Sequence, residues 1–396
     1  MKPRSIFILG RQPAIGRAEL ESLFGASRLK PLGDFAMLSD LQPADVPFTR
    51  LGGTIRLAQP VATVKSGGTW PDITRSALKH LPLILDGMPL EGKIKLGISV
   101  YGLNVTPQDL LRSGLEAKKA CKKVGRSARV VPNTEATLNT AQVSHNKLAG
   151  DLGVELLFLA GDSQIQIART VAIQDIDAYA RRDRERPKRD AFVGMLPPKL
   201  AQTIVNLGTA QLPPSLKNVV LDPFCGTGVV LQEALLMGYG AYGTDLEPRM
   251  ISYSRQNLEW LATYGVDTTP NLEVGDAIHH QWTHPFSVVA GETYLGRPLS
   301  NWPNPEKLQE IKGACNVIIH KFLQNLAPQL PSGTRLCLAV PAWNAPDGHI
   351  HHLPVLDQLG VLGYNRVSFV WAQAQEMVYH RPDQLVAREL LVITRK

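Results

Sequence analysis

The chain has 396 residues, of which 44% are hydrophobic and 19% are charged, a composition typical of a globular protein with more than one domain. No apolar run approaches the roughly 20 residues that a membrane-spanning helix needs. The four cysteines are scattered without a Cys-x-x-Cys pair, which excludes a local zinc knuckle and fits a reducing, cytoplasmic setting.

Positive charge is concentrated in the front half of the chain. Residues 1–206 carry 29 Lys and Arg against 19 Asp and Glu, whereas residues 207–396 carry 13 against 16, within a net charge of +7. We therefore expect a polyanionic partner to bind mainly through the front half.

The front half predicts two small α+β units. In residues 1–60 we expect strands at 5–9, 36–39 and 54–58 and a helix at 13–23. In residues 61–178 we expect helices at 72–81, 107–124 and 138–148, strands at 93–101 and 128–131, and a hairpin of 155–160 with 164–171.

Two basic segments of the front half are candidates for binding a polyanion. The first is a cationic face of the long helix, formed at helical spacing by Lys118, Lys119, Lys122, Lys123 and Arg126. The second is the run 181–189 in a predicted linker, 179–206, where the candidates are Arg181, Arg182 and Arg184. A solvated helix surface and a solvated linker remain the alternatives.

Strands and helices alternate in the rear half, which predicts a doubly wound α/β sheet over residues 207–396. A helix near 195–208 precedes it, and further helices are expected at 227–237, 246–264, 305–326 and 353–359. Strands are expected at 219–222, 240–244, 271–274, 287–290, 334–341, 366–373 and 390–394.

The segment from Val219 to Gly228 has the pattern of a strand, a tight Gly-containing loop and a helix start. Glycines let the backbone approach a ligand closely, and the loop amides and the helix N-terminus face an anionic group. The next strand ends in Asp245, nineteen residues after Gly226, near the offset expected for a ribose-binding carboxylate. The third strand runs into Asp276. Together with Asp222, which ends the first strand, Asp245 and Asp276 make three strand-end acids, and these predict a nucleotide-like cofactor.

The loop Asp222-Pro223-Phe224-Cys225-Gly226-Thr227-Gly228 resembles motif I of S-adenosylmethionine (SAM) methyltransferases that act on nucleic-acid amino groups. Other characteristic stretches are Arg186-Pro187, Met195-Leu196-Pro197-Pro198-Lys199-Leu200-Ala201, His380-Arg381-Pro382-Asp383-Gln384 and Arg388-Glu389. With these, nearly the full chain resembles the THUMP-domain tRNA guanine-N(2)-methyltransferases that modify the guanosine at position ten.

This resemblance implies a ferredoxin-like domain (1–60) and a THUMP RNA-binding domain (61–178) that grip tRNA, followed by a Rossmann-like domain (207–396) that holds SAM. It implies cofactor contacts from Asp222, Phe224, Gly226, Thr227, Gly228, Asp245, Leu246, Asp276 and Ala277. A small activator protein, as in related enzymes, is left open.

One motif of the resembled family is altered. Such enzymes usually carry Asp-Pro-Pro-Tyr after the fourth strand, where this chain has Ala290-Gly291-Glu292-Thr293-Tyr294. Either Tyr294 matches the tyrosine or Glu292 matches the acid, and both match only with a gap. Glu292 would accept the hydrogens of the target amine or take its departing proton, and Tyr294 would stack on the extruded base.

Three functions therefore remain open. The first is methylation of a tRNA guanine amino group, the second is RNA and SAM binding without catalysis, and the third is amino methylation of rRNA or DNA. Neither of two further features changes this set. His349, His351 and His352 have no carboxylate or thiolate at ligand spacing, so we expect no metal, and Cys225 is expected to pack in the interior.

Overall fold

The computed structural model describes residues 2–190, 196–266, 270–381 and 384–396. Met195, Pro382 and Asp383, which belong to the characteristic stretches quoted above, lie outside the described residues. The chain divides into two units. The first unit comprises residues 1–13, 25–49 and 54–177, and the second comprises residues 14–24, 50–53 and 178–396.

The front part of the chain forms one eight-stranded sheet and several helices, of which the first belongs mainly to the second unit. Its strands are β1 (Ser5–Leu9), β2 (Leu29–Leu32), β3 (Ala36–Ser39), β4 (Thr54–Lys65), β5 (Ile94–Tyr101), β6 (Ala128–Val130), β7 (Gly153–Ala160) and β8 (Gln164–Ile173). The helices are α1 (Pro13–Phe24), α2 (Trp70–Leu78), α3 (Leu81–Leu85), α4 (Pro107–Lys123) and α5 (Thr140–His145). The strand order is β2-β3-β1-β4-β8-β7-β5-β6, and the predicted hairpin is confirmed as antiparallel β7 and β8.

The predicted boundary at residue 60 falls inside a strand. β4 continues to Lys65 and pairs with β8 on both sides of Pro60, with a register shift between Pro60 and Ala62. Proline lacks the N–H that a sheet ladder uses, so Pro60 favours the end of a strand. The register shift next to Pro60 lets β4 continue past it. The division into domains at 1–60 and 61–178 stays a prediction.

The second unit is built on a larger sheet. Its strands are β9 (Val219–Asp222), β10 (Gly240–Asp245), β11 (Asn271–Val274), β12 (Val288–Glu292), β13 (Arg335–Asn344), β14 (Ile350–His351), β15 (Tyr364–Arg366), β16 (Val378–Tyr379) and β17 (Val386–Arg395). The helices are α6 (Ile176–Arg184), which begins in the first unit, α7 (Pro198–Thr209), α8 (Val229–Leu236), α9 (Pro248–Glu259) and α10 (Pro305–Leu326).

The topology of this sheet confirms the predicted doubly wound α/β fold. Its main order is β11-β10-β9-β12-β13-β17-β15, parallel from β11 to β13 and antiparallel at β17. Val289 packs with Phe322 of α10 on one face, and Ala290 packs with Ile204 of α7 on the other. The strand order reverses between β9 and β12, which is where such sheets form a ligand crevice at the carboxyl ends of their strands.

Helix α1 is joined to α7 through a buried carboxylate. Glu19 accepts hydrogen bonds from the amides of Gly52 and Gly53, at 2.9 and 2.8 Å, and from Nδ2 of Asn206 at 2.8 Å. Burial raises the pKa of Glu19. The segment 179–206 is predicted as a linker. In the structure it contains most of α7, and α7 packs in the core of the second unit.

Two predicted elements of the rear half are wrong. Residues 353–359 form only a short 3-10 turn, Pro354–Asp357, in place of a helix. The strand predicted at 366–373 ends at Arg366, because the amides of Val370 and Trp371 donate to the carboxylate of Glu21 at 2.8 to 3.0 Å. No helix in the described ranges is long and apolar enough to cross a membrane.

Candidate functional site

The loop between β9 and α8 lies at the carboxyl edge of the parallel strands. Gly226 and Gly228 adopt φ values of +52° and +82°, which L side chains rarely adopt. A Cβ at Gly228 would lie 3.0 Å from Oγ of Ser254, and that hydroxyl donates to the carbonyl of Gly226 at 2.7 Å. Helix α9 thus holds the glycine loop in its shape.

Asp245 lies against this loop, as the sequence spacing predicts. Its Oδ2 accepts a hydrogen bond from the amide of Gly226 at 2.8 Å, and its Oδ1 accepts one from the amide of Glu247 at 3.0 Å. Burial raises the pKa of Asp245. Because a carboxylate oxygen accepts more than one hydrogen bond, both oxygens keep capacity for hydroxyl groups of a ligand.

The remaining predicted cofactor contacts surround the same edge. Asp276 follows β11, is half-buried, and accepts a hydrogen bond from the amide of Ile278 at 3.1 Å. Leu246 is 61% exposed, whereas Ala277 is buried. Phe224 packs edge-on against Phe322, with ring centroids 5.0 Å apart.

Thr227 is held by a residue that the sequence did not single out. The carbonyl of Thr227 accepts a hydrogen bond from Nδ2 of Asn257 at 2.8 Å. Buried Asn257 also bonds the amide and the carbonyl of Lys188, at 2.8 and 2.9 Å. Asn257 lies on α9, and only its spacing from Ser254 on one helix face could have suggested a role at the loop.

Asp222, at the end of β9, is buried beneath the loop. Its Oδ1 accepts a hydrogen bond from the amide of Phe224 at 3.2 Å. Burial, together with the nearby Asp245 and Glu292, raises the pKa of Asp222 well above its ordinary value. A Cβ at Gly291 on β12 would lie only 2.3 Å from Oδ1 of Asp222, so a side chain at position 291 would force Asp222 to shift.

Glu292 ends β12 and contacts an arginine from a distant part of the chain. Its Oε1 accepts a hydrogen bond from Nε of Arg388 on β17, and both side chains are largely buried. Burial raises the pKa of Glu292, and the Arg388 charge opposes that shift. The sequence flagged Arg388 as part of a characteristic stretch but did not connect it with Glu292, 96 residues away. Tyr294, two residues on, is 41% exposed.

The predicted cationic face of α4 is present with one correction. Lys118, Lys119, Lys122 and Lys123 are exposed. Arg126 lies beyond the end of the helix and is only 8% exposed, because its guanidinium donates to the carbonyl of Pro89. Arg126 is therefore not part of the exposed face.

The basic run 181–189 also differs from the prediction in one residue. Arg181 and Arg184 are exposed. Arg182, however, donates through Nε to Oε1 of buried Glu233 on α8 at 2.8 Å. Arg182 thus fixes α6 to the second unit, which removes its charge from the surface.

Cys225 lies inside the loop and is buried, with Sγ 3.7 Å from Oγ of Ser254. Burial raises the pKa of the Cys225 thiol well above its ordinary value, so the thiol stays protonated at neutral pH. This is the packing role that the sequence predicts, and it leaves the loop chemistry to the amides and the strand-end acids.

Two comparisons concern the family and the fold of the chain. A family model described as DNA methylase matches residues 107–256. TrmN from Thermus thermophilus aligns over 99% of both chains, with a TM-score of 0.56 at 16% identity. At that identity the likeness concerns the fold alone, and it agrees with the Rossmann-like strand order of the rear half.

Curated relatives with a more specific name match parts of the chain. The tRNA (guanine(10)-N2)-dimethyltransferase of Methanothermobacter thermautotrophicus is 30% identical over 158 residues, which are 39% of this chain and 42% of the relative. The protein of the same name from Pyrococcus abyssi is 43% identical over 104 residues, 26% of this chain and 29% of the relative. The matches thus span less than half of each relative, and they confirm the resemblance to this group that the motifs predict.

Proposed function

We propose that the protein is a SAM-dependent methyltransferase that acts on the exocyclic amino group of a guanine in tRNA. The observation that carries the proposal is the position of the glycine loop, Asp245 and Asp276 together at the carboxyl edge of the sheet. The relatives named tRNA (guanine(10)-N2)-dimethyltransferase support the choice of tRNA and guanine.

The groups at the edge fit SAM in their chemistry. Gly226, Thr227 and Gly228 would border its methionine part, because the left-handed glycines leave the loop backbone open to close approach. The Asp245 carboxylate would accept the ribose hydroxyls, and Asp276 the adenine amino group. When bound, SAM would supply an electrophilic methyl group.

Glu292 and Tyr294 are the residues that we propose for the target base. A guanine amino group is a poor nucleophile, because its lone pair is delocalised into the ring. Glu292 would accept its hydrogens, and Arg388 would keep that carboxylate charged against the effect of burial. The exposed Tyr294 would stack on the extruded base.

We propose that tRNA is gripped mainly by the front half, as a THUMP RNA-binding region in a cytoplasmic protein would do. The exposed lysines of α4 and the excess positive charge before residue 207 support this. A small activator protein, as in related enzymes, would be a further partner.

Two other functions have an observation in their favour. An RNA-binding protein that holds SAM without catalysis is favoured by the contact of Glu292 with Arg388, because that contact occupies a carboxylate needed for the amine. An amino-methyltransferase of DNA or rRNA is favoured by the family model described as DNA methylase.

One experiment separates these functions. The protein is incubated with labelled SAM and, in separate reactions, total tRNA, rRNA and DNA, and the labelled nucleoside is identified by mass spectrometry. We expect N2-methylguanosine in tRNA. Glu292→Gln should reduce the single-turnover rate about a hundred- to a thousandfold with SAM affinity nearly intact. Glu259→Gln, the same change at an exposed site on α9, is the control.

The outcomes are distinct. Equal rates for Glu292→Gln and the parent protein remove Glu292 from the chemistry. Label in DNA or rRNA alone supports the third function, and SAM binding without label in any nucleic acid supports the second.

A further inference from the structure

Three aromatic side chains meet at the carboxyl edge beyond β12 and β13. β13 ends at Asn344, and the chain returns as β14, which pairs His351 with Trp343 of β13. The ring centroids of Trp302 and His351 are 5.8 Å apart with planes inclined by 33°, and those of His349 and His351 are 4.8 Å apart and nearly perpendicular. We call Trp302, His349 and His351 the aromatic platform.

The chain between the candidate catalytic residues and the platform runs along α10. Gly296, two residues after Tyr294, packs so closely that a Cβ there would lie 3.3 Å from Sγ of Cys315 and 3.7 Å from Ile311. Trp302 packs partly on the same core, and β14, which carries His351, pairs with β13, the strand next to β12. The platform therefore lies on the same edge as Glu292 and Tyr294.

The histidines of the platform do not form a metal-ligand set with His352. Nδ1 of His352 lies 2.5 Å from Oε2 of Glu389, and Oε1 of Glu389 lies 3.3 Å from Nη2 of Arg366. In the described part of the chain no group of three or more His, Cys, Asp or Glu side chains could hold a metal ion. The observed contacts of the His349 and His351 rings are with each other and, for His351, with Trp302.

The charges beside the platform favour an anionic ligand with flat rings. Burial, then Lys312 of α10 and His349, lowers the pKa of His351, so its ring is neutral at pH 7. The acid of the loop, Asp347, accepts a hydrogen bond from the amide of His349 at 2.9 Å and so serves the turn. A neutral ring surface with an ammonium group beside it suits a nucleotide, because bases stack on rings and phosphates attract lysine.

We propose that the aromatic platform binds an unpaired nucleotide of the RNA substrate, with Lys312 near its phosphate. This inference rests on the proposed function and names a substrate contact outside the cofactor loop and the altered motif. The occupant is single-stranded RNA, because only an unpaired base can stack on these rings, of which His349 is exposed and Trp302 and His351 are half-buried.

The test uses the full chain without SAM and a fluorescein-labelled, unstructured octaribonucleotide, with anisotropy as the readout. Removing one stacking surface by Trp302→Ala should weaken binding about five- to a hundredfold, and Trp302→Phe should retain most of the affinity. The control is Trp260→Ala, since Trp260 is also half-buried and ring-paired, with Tyr264 at 5.1 Å, but lies just after the carboxyl end of α9.

A second variant keeps the test valid if Trp302→Ala lowers the melting temperature. His351→Ala should also weaken binding, and Lys312→Gln should reduce the slope of log affinity against log salt by roughly 0.7, the share of one phosphate contact on a single strand. Losses confined to these variants support the platform, even if the parent protein methylates no RNA and the proposed enzyme function fails. Affinities of Trp302→Ala and His351→Ala equal to that of Trp260→Ala would overturn it.

Discussion

A tight steric constraint at the site concerns Gly291, and Gly291→Ala tests it. The new Cβ would lie 2.3 Å from Oδ1 and 2.9 Å from Cγ of Asp222, well inside van der Waals contact. Asp222 is buried, so it can move only by breaking its hydrogen bond from the amide of Phe224. We expect a loss of about 2–4 kcal/mol, from overpacking of about 1–3 kcal/mol and a lost hydrogen bond of about 1 kcal/mol.

The assay is thermal unfolding combined with calorimetric SAM binding. For a unit of this size the loss corresponds to a fall in melting temperature of roughly 4–16 °C, and SAM affinity should fall with it, because Asp222 lies beneath the loop. Gly313→Ala is the matched control. Gly313 is exposed on α10 with no atom within 4 Å of an added Cβ, so the same change should stabilise the protein by about 0.5–1 kcal/mol.

A double-mutant cycle isolates the contact. In an Asp222→Ala background the obstructing carboxylate is absent, and Gly291→Ala should then cost less than half as much as in the parent. An unchanged melting temperature for Gly291→Ala, or an equal cost in both backgrounds, would refute the steric reasoning.

Two further predictions concern the cofactor and pH. Asp245→Ala should weaken calorimetric SAM affinity by about tenfold or more, because hydrogen bonds to a charged acceptor contribute roughly 1.5–3 kcal/mol. Asp245→Asn keeps one acceptor oxygen and should lose less affinity. Unchanged affinity in Asp245→Ala would show that Asp245 does not bind SAM. Glu233 is buried beside Arg182, and burial raises its pKa from 4.5 to about 7. The stability that this raised pKa contributes is complete below pH 4.5 and is lost as pH rises through about 7, an effect of about 3 kcal/mol. Glu233→Gln should remove that pH dependence in urea unfolding at pH 5 and pH 8, and an unchanged pH slope would contradict the assignment.

The sequence predicts best what short segments determine. The strand-loop-helix pattern around Gly226, the offset of Asp245 and helix α10 are all local, and the structure reproduces them. Alternating apolar residues also predict a strand at 366–373, but the amides there bind Glu21, nearly 350 residues earlier. A pattern within one segment carries no information about such a partner, so the prediction failed where the tertiary contact replaced the sheet ladder.

The same limit applies to the candidate catalytic residues. Composition and spacing identify Glu292 as an acid at a strand end, which the structure places there. They do not reveal that Arg388 reaches it from an antiparallel strand beyond β13. The buried Arg182 and Arg126 differ from their predicted exposure for a similar reason, because helical spacing and charge do not report a carboxylate or carbonyl supplied by another segment.

The steric constraint at Gly291 bears on which residue of the altered motif can match the family acid. If Tyr294 matches the family tyrosine, the family acid falls on position 291, where any side chain would collide with Asp222 as it now lies. The nearest acid is then Glu292, and successive side chains on a strand point to opposite faces of the sheet. Glu292 accordingly lies on the side of Ala290 and α7 and meets Arg388 there. On the proposed function, a target amine that used this carboxylate would have to approach from that side, and Arg388 would orient Glu292 toward it.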